Sequence, residues 1–435
     1  MAAINRMQSL NADRTATRAL GILALLFGEE LGRNVGVRLW DGSAIPAPGG
    51  RFELIVREPF ALRAAFLPPL ALNPGRAFVE RWIDIEGDLE TAIGTLERCV
   101  GRLSKATLAR LAAMLLLLPA SPKVGDRQPA GEAHSKGRDA AAISFHYDLP
   151  VAFYRTFLDS ELVYSCAYWD DGVATLEDAQ RAKLDYVLDK LRLAPGASFL
   201  DIGCGWGSLV IRAARRGARA LGITLSRRQY EEAGRAIAAA GLADRARVEL
   251  LDYRDLGSEE FDAIASIGMV EHVGRERLRE YFDVAYRSLR PGGLFLNHGI
   301  SAQTRDGRGF RATRDFIGRY VFPDGDLVAL DTMLRNAEAA GFEVRDVENL
   351  REHYARTLRA WIANLAANRQ TAIDLAGERA ERVWRLYVTG SARGFARGRM
   401  GLAQSLFAKP RPDGKSRIPS TRRDLYRTRP TEVSR

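Results

Sequence analysis

The chain has 435 residues, 46% of them hydrophobic and 27% charged, which suits two domains with a sizeable apolar core. Its formal charge of +10 predicts a basic surface that could face nucleic acid, anionic lipid headgroups or water. The sequence has no motif that reads nucleic acid and no basic segment rich in aromatic residues. We therefore expect an anionic membrane surface, and not nucleic acid, as its partner.

The cysteines and the apolar runs indicate where the protein works. Cys99, Cys166 and Cys204 are odd in number and far apart, so the sequence predicts neither a disulfide framework nor a metal site, and it indicates a reducing compartment. No export signal is recognisable at the start. The apolar runs at residues 21–27 and 111–118 are far shorter than the roughly 20 residues of a membrane-spanning helix. We expect a cytoplasmic protein that contacts the inner face of the membrane peripherally.

Composition divides the chain into segments. Residues 1–120 mix helical spacing with short strand-like pieces such as 52–56, which predicts a small α+β domain. Residues 121–140 are rich in Pro, Gly, Ser, Lys and Asp, which is typical of a linker. Residues 409–435 hold nine Lys or Arg against three Asp or Glu, which predicts an exposed basic tail.

Residues 141–408 alternate strand patterns with amphipathic helices. This order is typical of a doubly wound, Rossmann-like α/β domain with a parallel sheet covered on both faces. The predicted strands are 198–202, 218–224, 246–251, 261–267 and 293–298. The predicted crossover helices include 209–216 and 227–240.

The run FLDIGCGWG at residues 199–207 places a strand directly before a glycine-rich turn that opens a helix. Glycines allow a ligand to approach the backbone, and the first turn of a helix offers N–H groups and partial positive charge. The pattern predicts a nucleotide-type binding turn, although dinucleotide enzymes and purely structural turns share the spacing.

The second and third strands distinguish among these cofactors. A dinucleotide enzyme needs an acidic residue about 20 positions past the glycines, and the corresponding region here reads ITLS. The hydroxyl and amide side chains of Thr224, Ser226 and Gln229 can instead bind a ribose or an amino-acid group. Asp252, after the third strand, could accept a hydrogen bond from an adenine amino group.

The strings LDIGCGWG, GITLS with Gln229, and LLDYRDL together resemble the methyltransferase domain of the cyclopropane fatty acid and mycolic acid cyclopropane synthases. The resemblance implies a class I S-adenosylmethionine-dependent methyltransferase domain. It also implies a set of cofactor contacts: Asp201, Gly203 and Gly205 near the methionine part, Thr224 to Gln229 on the ribose side, and Asp252, Tyr253 and Arg254 at the adenine.

Motifs outside the turn carry the implied chemistry. The string YSCAYW at residues 164–169, after His146-Tyr147-Asp148, could be core packing, but it also resembles a family motif that closes over the cofactor. The resemblance implies that Tyr164 and Ser165 touch the cofactor and that Cys166 lies beside the reacting centre.

Three further motifs contain Glu271, His298 and Tyr354, in GMVEHVG, NHGI and EHYARTL. The family's corresponding Cys, Glu, His and Tyr surround a bicarbonate ion that serves as general base. The resemblance therefore implies a bicarbonate site formed by Cys166, Glu271, His298 and Tyr354, with the backbone N–H of Ile300 as a further donor. Each side chain also has a structural interpretation: a helix cap, a satisfied buried histidine or a half-buried aromatic. His272 and His353 are interpreted as structural neighbours.

The lipid side of the site is indicated by weaker motifs. Residues 316–323 resemble the family's substrate-covering insertion, and Trp361 follows Tyr354 on a predicted helix; these aromatic residues suit either an acyl tunnel or an ordinary core. Residues 81–89 resemble an amino-terminal region that helps to engage phospholipid. The chain departs from the family pattern at residues 149–151 and at Ser301, which puts the shape of the substrate entrance in question.

The function implied by the resemblance is transfer of a methylene group from S-adenosylmethionine to the cis double bond of an unsaturated phospholipid acyl chain, which forms a cyclopropane. A homodimer is also implied. Open alternatives are a methyltransferase that leaves a methyl or methylene branch, an amine methyltransferase, and a noncatalytic lipid- or cofactor-binding protein.

Overall fold

The computed structural model of the chain describes residues 14–122, 124–125, 131–132, 134–147, 149–303, 310–311 and 315–425. Asp148, part of the predicted linker and the last ten residues of the predicted tail lie outside this range. The chain divides into two compact units, one from residues 1–128, 313–321 and 372–393, and one from 129–312, 322–371 and 394–435. Two late segments thus group with the amino-terminal residues, which the sequence patterns did not indicate. The predicted domain boundaries remain predictions.

The elements of the amino-terminal segment are α1 (Arg14–Phe27), β1 (Val35–Arg38), β2 (Ala44–Ile45), β3 (Phe52–Val56), α2 (Ala61–Phe66), α3 (Asn73–Val79), β4 (Ile83–Gly87), α4 (Leu89–Arg102) and α5 (Lys105–Leu116). The remaining elements are α6 (Lys136–Tyr147), α7 (Val151–Tyr154), α8 (Leu176–Lys190), β5 (Ser198–Ile202), α9 (Ser208–Arg215), β6 (Arg219–Thr224), α10 (Arg227–Ala239), β7 (Ala246–Leu250), β8 (Phe261–Ile267), α11 (Val270–Val273), α12 (Leu278–Arg287), β9 (Leu289–Ala302), β10 (Phe310–Arg311), α13 (Phe316–Tyr320), β11 (Asp326–Leu327), α14 (Leu330–Ala339), β12 (Glu343–Asn349), α15 (Arg351–Ala367), α16 (Arg369–Ala376), α17 (Glu378–Ala396) and β13 (Met400–Ala408).

The first unit contains a four-stranded sheet of order β2-β1-β3-β4. β3 has the bounds predicted for the strand-like piece at 52–56. The helices α4 and α5 begin where Asp88 and Ser104 accept hydrogen bonds from backbone N–H groups of the first turn, as N-cap residues do. Apolar side chains from α1, the sheet, α4 and α5 form its core.

The second unit contains a seven-stranded sheet of order β12-β13-β9-β8-β5-β6-β7. The strands β5 to β9 are parallel, and β13 runs antiparallel to β9 and β12. All five residues of β5 are buried, as its apolar run predicts for a central parallel strand. The predicted Rossmann-like α/β class is confirmed.

The strand β9 is longer than predicted at both ends: it begins at Leu289, opposite Phe261 of β8, and it continues to Ala302 because residues 299–302 still pair with β13. β13 was not predicted as a strand. Its partner precedes it by about a hundred residues, so no local turn signal marks the pairing.

The described part of the predicted basic tail, residues 409–425, is mostly exposed but anchored to the second unit. Lys409 donates to the carbonyls of Tyr286 and Leu289. Arg417 pairs with Asp262 at 3.2 Å, and Arg422 pairs with Asp346 at 2.6 Å. Over the described residues, no helix combines the length and apolar character needed to cross a membrane.

Candidate active site

A glycine-rich turn joins β5 to α9 where the parallel strands end. Gly203, Gly205 and Gly207 have φ angles of 80°, 54° and 89°, which residues with a Cβ rarely adopt. A Cβ on Gly207 would also lie 3.0 Å from the Cβ of Ala233. Backbone geometry therefore explains why glycines occupy these positions. The turn also presents main-chain atoms without covering side chains at the start of a helix, where polar and anionic groups bind well.

A pocket of about 1260 Å³, including the part open to solvent, lies at this edge of the sheet. Its lining includes nine of the eleven residues predicted to bind the cofactor: Tyr164, Ser165, Asp201, Gly203, Gly205, Thr224, Gln229, Tyr253 and Arg254. They come from three strand ends and from one segment that precedes the sheet. The structure thus gathers them around one cavity, while their contact with a cofactor remains a prediction.

The other two predicted residues hold lining residues in place. The Ser226 hydroxyl accepts from the backbone N–H of Gln229 at 3.3 Å and caps α10. Asp252 binds the Arg254 guanidinium through both carboxylate oxygens, at 2.9 and 2.6 Å. Burial alone would raise the pKa of Asp252, but its hydrogen bonds with Arg254 and the charge of that residue outweigh burial and lower it.

Lys183 is a pocket residue that the sequence analysis missed. It is only 2% exposed, and its ammonium group donates to the Ser165 hydroxyl at 3.0 Å. Burial lowers the pKa of Lys183 to about 8, against the opposing charges of Asp159 and Asp201. Burial also raises the pKa of Asp201 to about 7. The one available sequence signal was a lysine within the apolar stripe of α8.

Cys166 and Tyr354 both lie against Leu350. The buried Cys166 thiol donates to the carbonyl of Ala167 at 3.2 Å and points to that of Leu350 at 3.8 Å. The backbone N–H of Tyr354 donates to the same Leu350 carbonyl at 3.0 Å. Burial raises the pKa of the Cys166 thiol, so the group stays protonated and is suited to donate rather than to attack.

Glu271 lies in α11, directly after β8, and reaches across to β9. Its Oε1 accepts from the backbone N–H of Ile300 at 2.6 Å. Its Oε2 is buried and has no hydrogen-bond partner among the described residues. Burial raises the pKa of Glu271 to about 7, because a carboxylate loses its hydration there.

His298, on β9, is 1% exposed. Its Nδ1 lies 3.3 Å from the side-chain amide nitrogen of Gln404, and its buried Nε2 has no hydrogen-bond partner within the described range. Burial, together with the charges of Lys183 and Lys190, holds the pKa of His298 well below its ordinary value. The imidazole is therefore neutral.

A series of short contacts connects Glu271, Cys166 and Tyr354, and His298 lies two residues before Ile300 on β9. Glu271 binds Ile300, which pairs with Leu402 of β13. The Leu402 carbonyl accepts from the N–H of Leu350, the residue that Cys166 and Tyr354 contact. The structure therefore brings the four residues to the region where β9 and β13 meet the start of α15.

Aromatic side chains surround the same region. Tyr164 stacks on Trp361 with ring centroids 5.3 Å apart, and Trp361 meets the Tyr354 ring edge-on at 6.0 Å. His272, interpreted from sequence as a structural neighbour, lines the pocket. His353 does act structurally, because its Nδ1 accepts from the backbone N–H of Trp169 at 2.9 Å.

The sheet order, the glycine turn and the pocket at the carboxyl edge define the class I S-adenosylmethionine-dependent methyltransferase fold. The sequence pattern of the family described as "Mycolic acid cyclopropane synthetase" matches residues 134–405. The chain belongs to this family, and it is an S-adenosylmethionine-dependent methyltransferase. The resemblance drawn from the sequence motifs is confirmed.

Individual relatives extend the similarity over nearly the whole chain. A "Probable fatty acid methyltransferase" of Pseudomonas putida is 40% identical over 395 residues, which are 90% of this chain and 96% of the relative. Another, of Mycobacterium tuberculosis, is 36% identical over 87% of this chain and 92% of its own length. The solved structure of the mycolic acid cyclopropane synthase CmaA1, complexed with SAH and CTAB, superposes on this chain with a TM-score of 0.58 and 36% sequence identity. The match covers 62% of this chain and 98% of CmaA1.

Proposed function

We propose that the chain transfers a methylene group from S-adenosylmethionine to the cis double bond of an unsaturated phospholipid acyl chain, closing a cyclopropane ring, with a bound bicarbonate as base. One observation carries the proposal: Glu271 Oε2 and His298 Nε2 are buried polar atoms without partners among the described residues, in the region that Cys166 and Tyr354 also reach. Buried polar atoms of this kind are costly unless a ligand satisfies them.

The pocket suits S-adenosylmethionine. The positive-φ glycines at 203 and 205 would hold the methionine end, Thr224 and Gln229 the ribose, and Tyr253 with Arg254 the adenine. When bound, S-adenosylmethionine supplies a methyl group on a sulfonium, a strong electrophile. The Tyr164 ring lines the pocket and stacks on the buried Trp361, which gives an apolar surface that suits an acyl chain and excludes water.

The balance of the reaction explains why a base is needed. The π electrons of the alkene form a bond to the methyl carbon as the bond between that carbon and sulfur breaks. A carbocation is then left on the acyl chain of the lipid. Loss of a proton from the new methyl group then returns an electron pair that closes the ring. A base placed beside the new carbon must act before water adds to the cation.

The side chains around Glu271 favour a captured anion over a protein base. The Cys166 thiol is protonated, and burial raises the pKa of Glu271, so neither group is a stable local anion. Bicarbonate supplies a small base, and the N–H of Ile300, the imidazole of His298 and the hydroxyl of Tyr354 are groups that can hold it. The carboxylate of Glu271 would accept a hydrogen bond from the hydroxyl of bicarbonate, and the protonated carboxyl would donate one to a bicarbonate oxygen.

A second candidate is a methyltransferase that stops at a methyl or methylene branch. The names of the Pseudomonas and Mycobacterium relatives, fatty acid methyltransferases, favour it. Both activities use the same pocket and leave the same cation. They differ in where the cation lies when the methyl group loses a proton: the ring closes from the first cation, whereas a methylene branch forms after a 1,2-hydride shift has moved the cation to the carbon that carries the new methyl group.

The substrate is proposed to reach the enzyme at an anionic membrane surface on the cytoplasmic side, where the chain binds peripherally as a homodimer. The formal charge of +10 supports attraction to anionic headgroups. The aromatic wall supports an apolar acyl chain as the part of the lipid that enters the site.

The test incubates the full chain with S-adenosylmethionine and vesicles of unsaturated anionic phospholipid, in buffer with and without bicarbonate. We expect a lipid heavier by one CH₂ that no longer reacts as an alkene, formed faster with bicarbonate. Mass spectrometry after ozonolysis separates the cyclopropane from a methylene-branched product, which keeps a double bond. A product that retains its alkene supports the second candidate, and no lipid product contradicts both.

A further inference from the structure

A buried amide lies behind the imidazole that the proposed function places at the anion. Gln404 of β13 is directly opposite His298 of β9 in the antiparallel register. Its side-chain nitrogen lies 3.3 Å from His298 Nδ1, and Gln404 is 0% exposed. The contact therefore has no competing water at the protein surface.

The orientation of this amide is determined by Lys190. The ammonium group of Lys190 donates to Gln404 Oε1 at 2.9 Å. Because a lysine ammonium has three donors and no acceptor, the amide atom that faces it must be the oxygen. The amide nitrogen must then face His298.

Lys190 is itself fixed by its surroundings. It is 0% exposed, its Nζ lies 2.5 Å from a carboxylate oxygen of Glu348, and it stands over the ring of Tyr186 at 4.5 Å. Asp346 lies 3.7 Å away. These contacts hold the lysine, because turning away from Gln404 and Glu348 would leave its own buried ammonium group without its two nearest acceptors.

The amide in turn determines the tautomer of the imidazole. An amide NH₂ group can only donate, so His298 Nδ1 must accept. A neutral imidazole with an accepting Nδ1 carries its proton on Nε2. This is the nitrogen that is buried without a hydrogen-bond partner in the described part of the chain.

We infer that Gln404 and Lys190 are positioning residues that lock His298 in the Nε2–H tautomer, so that it donates a hydrogen bond to the anion and does not remove the proton. The inference deepens the proposed function and rests on it for the identity of the anion. It assigns His298 to holding the base, and it leaves proton removal to the anion itself.

The test reads the tautomer directly. The protein has five histidines, so the long-range ¹H–¹⁵N spectrum of the full chain with ¹⁵N-labelled histidine can be assigned with one variant per residue. In the wild type we expect a protonated Nε2 and an unprotonated Nδ1 for His298. A protonated Nδ1 overturns the inference, whatever the activity.

Two variants and a control sharpen this result. Gln404→Glu places an acceptor against Nδ1, so the proton should move to Nδ1 and kcat should fall about 100-fold, as when one donor to a reacting anion is lost. The KM for S-adenosylmethionine should stay unchanged, because the inference concerns the anion and not the cofactor. Ser405→Ala, on the opposite face of the same strand, should leave both tautomer and kcat unchanged.

Gln404→Met covers the case in which the glutamate variant does not fold, because it removes the donor without adding charge. We expect signals of both tautomers there, and a spectrum identical to the wild type would overturn the inference.

Titration of the wild type with sodium bicarbonate tests the anion separately. A His298 Nε2–H signal that shifts on titration supports both proposals, while an Nε2–H signal that does not shift upholds the tautomer and contradicts the bicarbonate site.

Discussion

The chemistry of individual residues in this site follows from burial. Loss of hydration shifts the pKa of four buried side chains in the direction that favours the neutral form. It raises the pKa of Glu271 and Asp201, and it lowers the pKa of Lys183 and His298. Because burial raises the pKa of Glu271 and lowers the pKa of His298, their part of the site carries little net charge and can admit both an apolar acyl chain and a small anion. The pH dependence of stability is therefore a direct test of how these groups are buried.

Glu271→Gln should become more stable relative to the wild type as the pH rises. Burial raises the pKa of Glu271 from 4.5 to about 7, so between these values the folded chain binds more protons than the unfolded chain. The free energy of unfolding of the wild type then falls as the pH rises through this window. The variant lacks this loss, and its advantage should grow by about 3 kcal/mol between pH 4.5 and pH 8.

Urea denaturation at the two pH values measures this difference, and the lipid assay should show a large loss of activity in the same variant. Glu260→Gln, which changes an exposed glutamate, is the control and should track the wild type at both pH values. A Glu271→Gln difference that does not vary with pH would show that the carboxyl is hydrated.

At the scale of elements, the turn between β5 and α9 is the part most tightly prescribed by geometry. Gly207→Ala should destabilise the protein more than Gly196→Ala, although both glycines have positive φ angles of 89° and 80°. At either position, holding an alanine in the left-handed backbone conformation should lower the free energy of unfolding by about 1–2 kcal/mol. Only at Gly207 would the new methyl group also press on Ala233, since nothing lies within 4 Å of the Cβ position at Gly196.

Thermal melting compares the two variants, and calorimetric titration with S-adenosylhomocysteine tests the pocket. We expect weaker binding for Gly207→Ala alone, because only that turn lies beside the cavity. Equal melting temperatures for the two variants would mean that the turn absorbs the extra methyl group without cost.

The elements that the sequence predicted share one property, a local signal. The bounds of β5 and β8 agree with prediction because each is a short apolar run. Most pocket residues were predicted from their place at a strand end, whereas Tyr164 and Ser165 were predicted only from a motif that resembles the family. β13 and Gln404 were missed because their roles depend on pairing with β9 across about a hundred residues. Lys183 was missed because its burial and its contact with Ser165 depend on tertiary packing, which the sequence pattern of α8 does not indicate.

At the scale of the whole molecule, a buried arginine links distant parts of the first unit. Arg382 of α17 is 0% exposed, donates to the carbonyls of Phe78 and Ile83, and pairs with Asp84 at 3.2 Å. Its partners precede it by about 300 residues. The charge pair is satisfied on every side, which a buried pair requires.

Arg382→Leu should therefore lower the free energy of unfolding of this unit by about 3 kcal/mol, because the carbonyls of Phe78 and Ile83 lose their buried donor. Asp84 would keep its pair with Arg57 at 3.1 Å. Arg379→Leu, one turn earlier, removes an exposed pair with Glu80 and should cost no more than about 1 kcal/mol. Chemical denaturation followed by tryptophan fluorescence compares them. Similar losses in the two variants would contradict the buried pair.

The late segments of the first unit also constrain the order of events during synthesis. Leu386 packs on the amino-terminal core, and Arg382 completes its polar contacts, yet both leave the ribosome after the entire methyltransferase sheet except β13. At roughly 5–20 residues per second, the newly made amino-terminal segment of residues 1–128 waits some tens of seconds for its last helix. During that interval the apolar side chains that Leu386 later covers stay exposed, so a nascent chain halted before α17 is expected to bind chaperones more strongly than one halted after it.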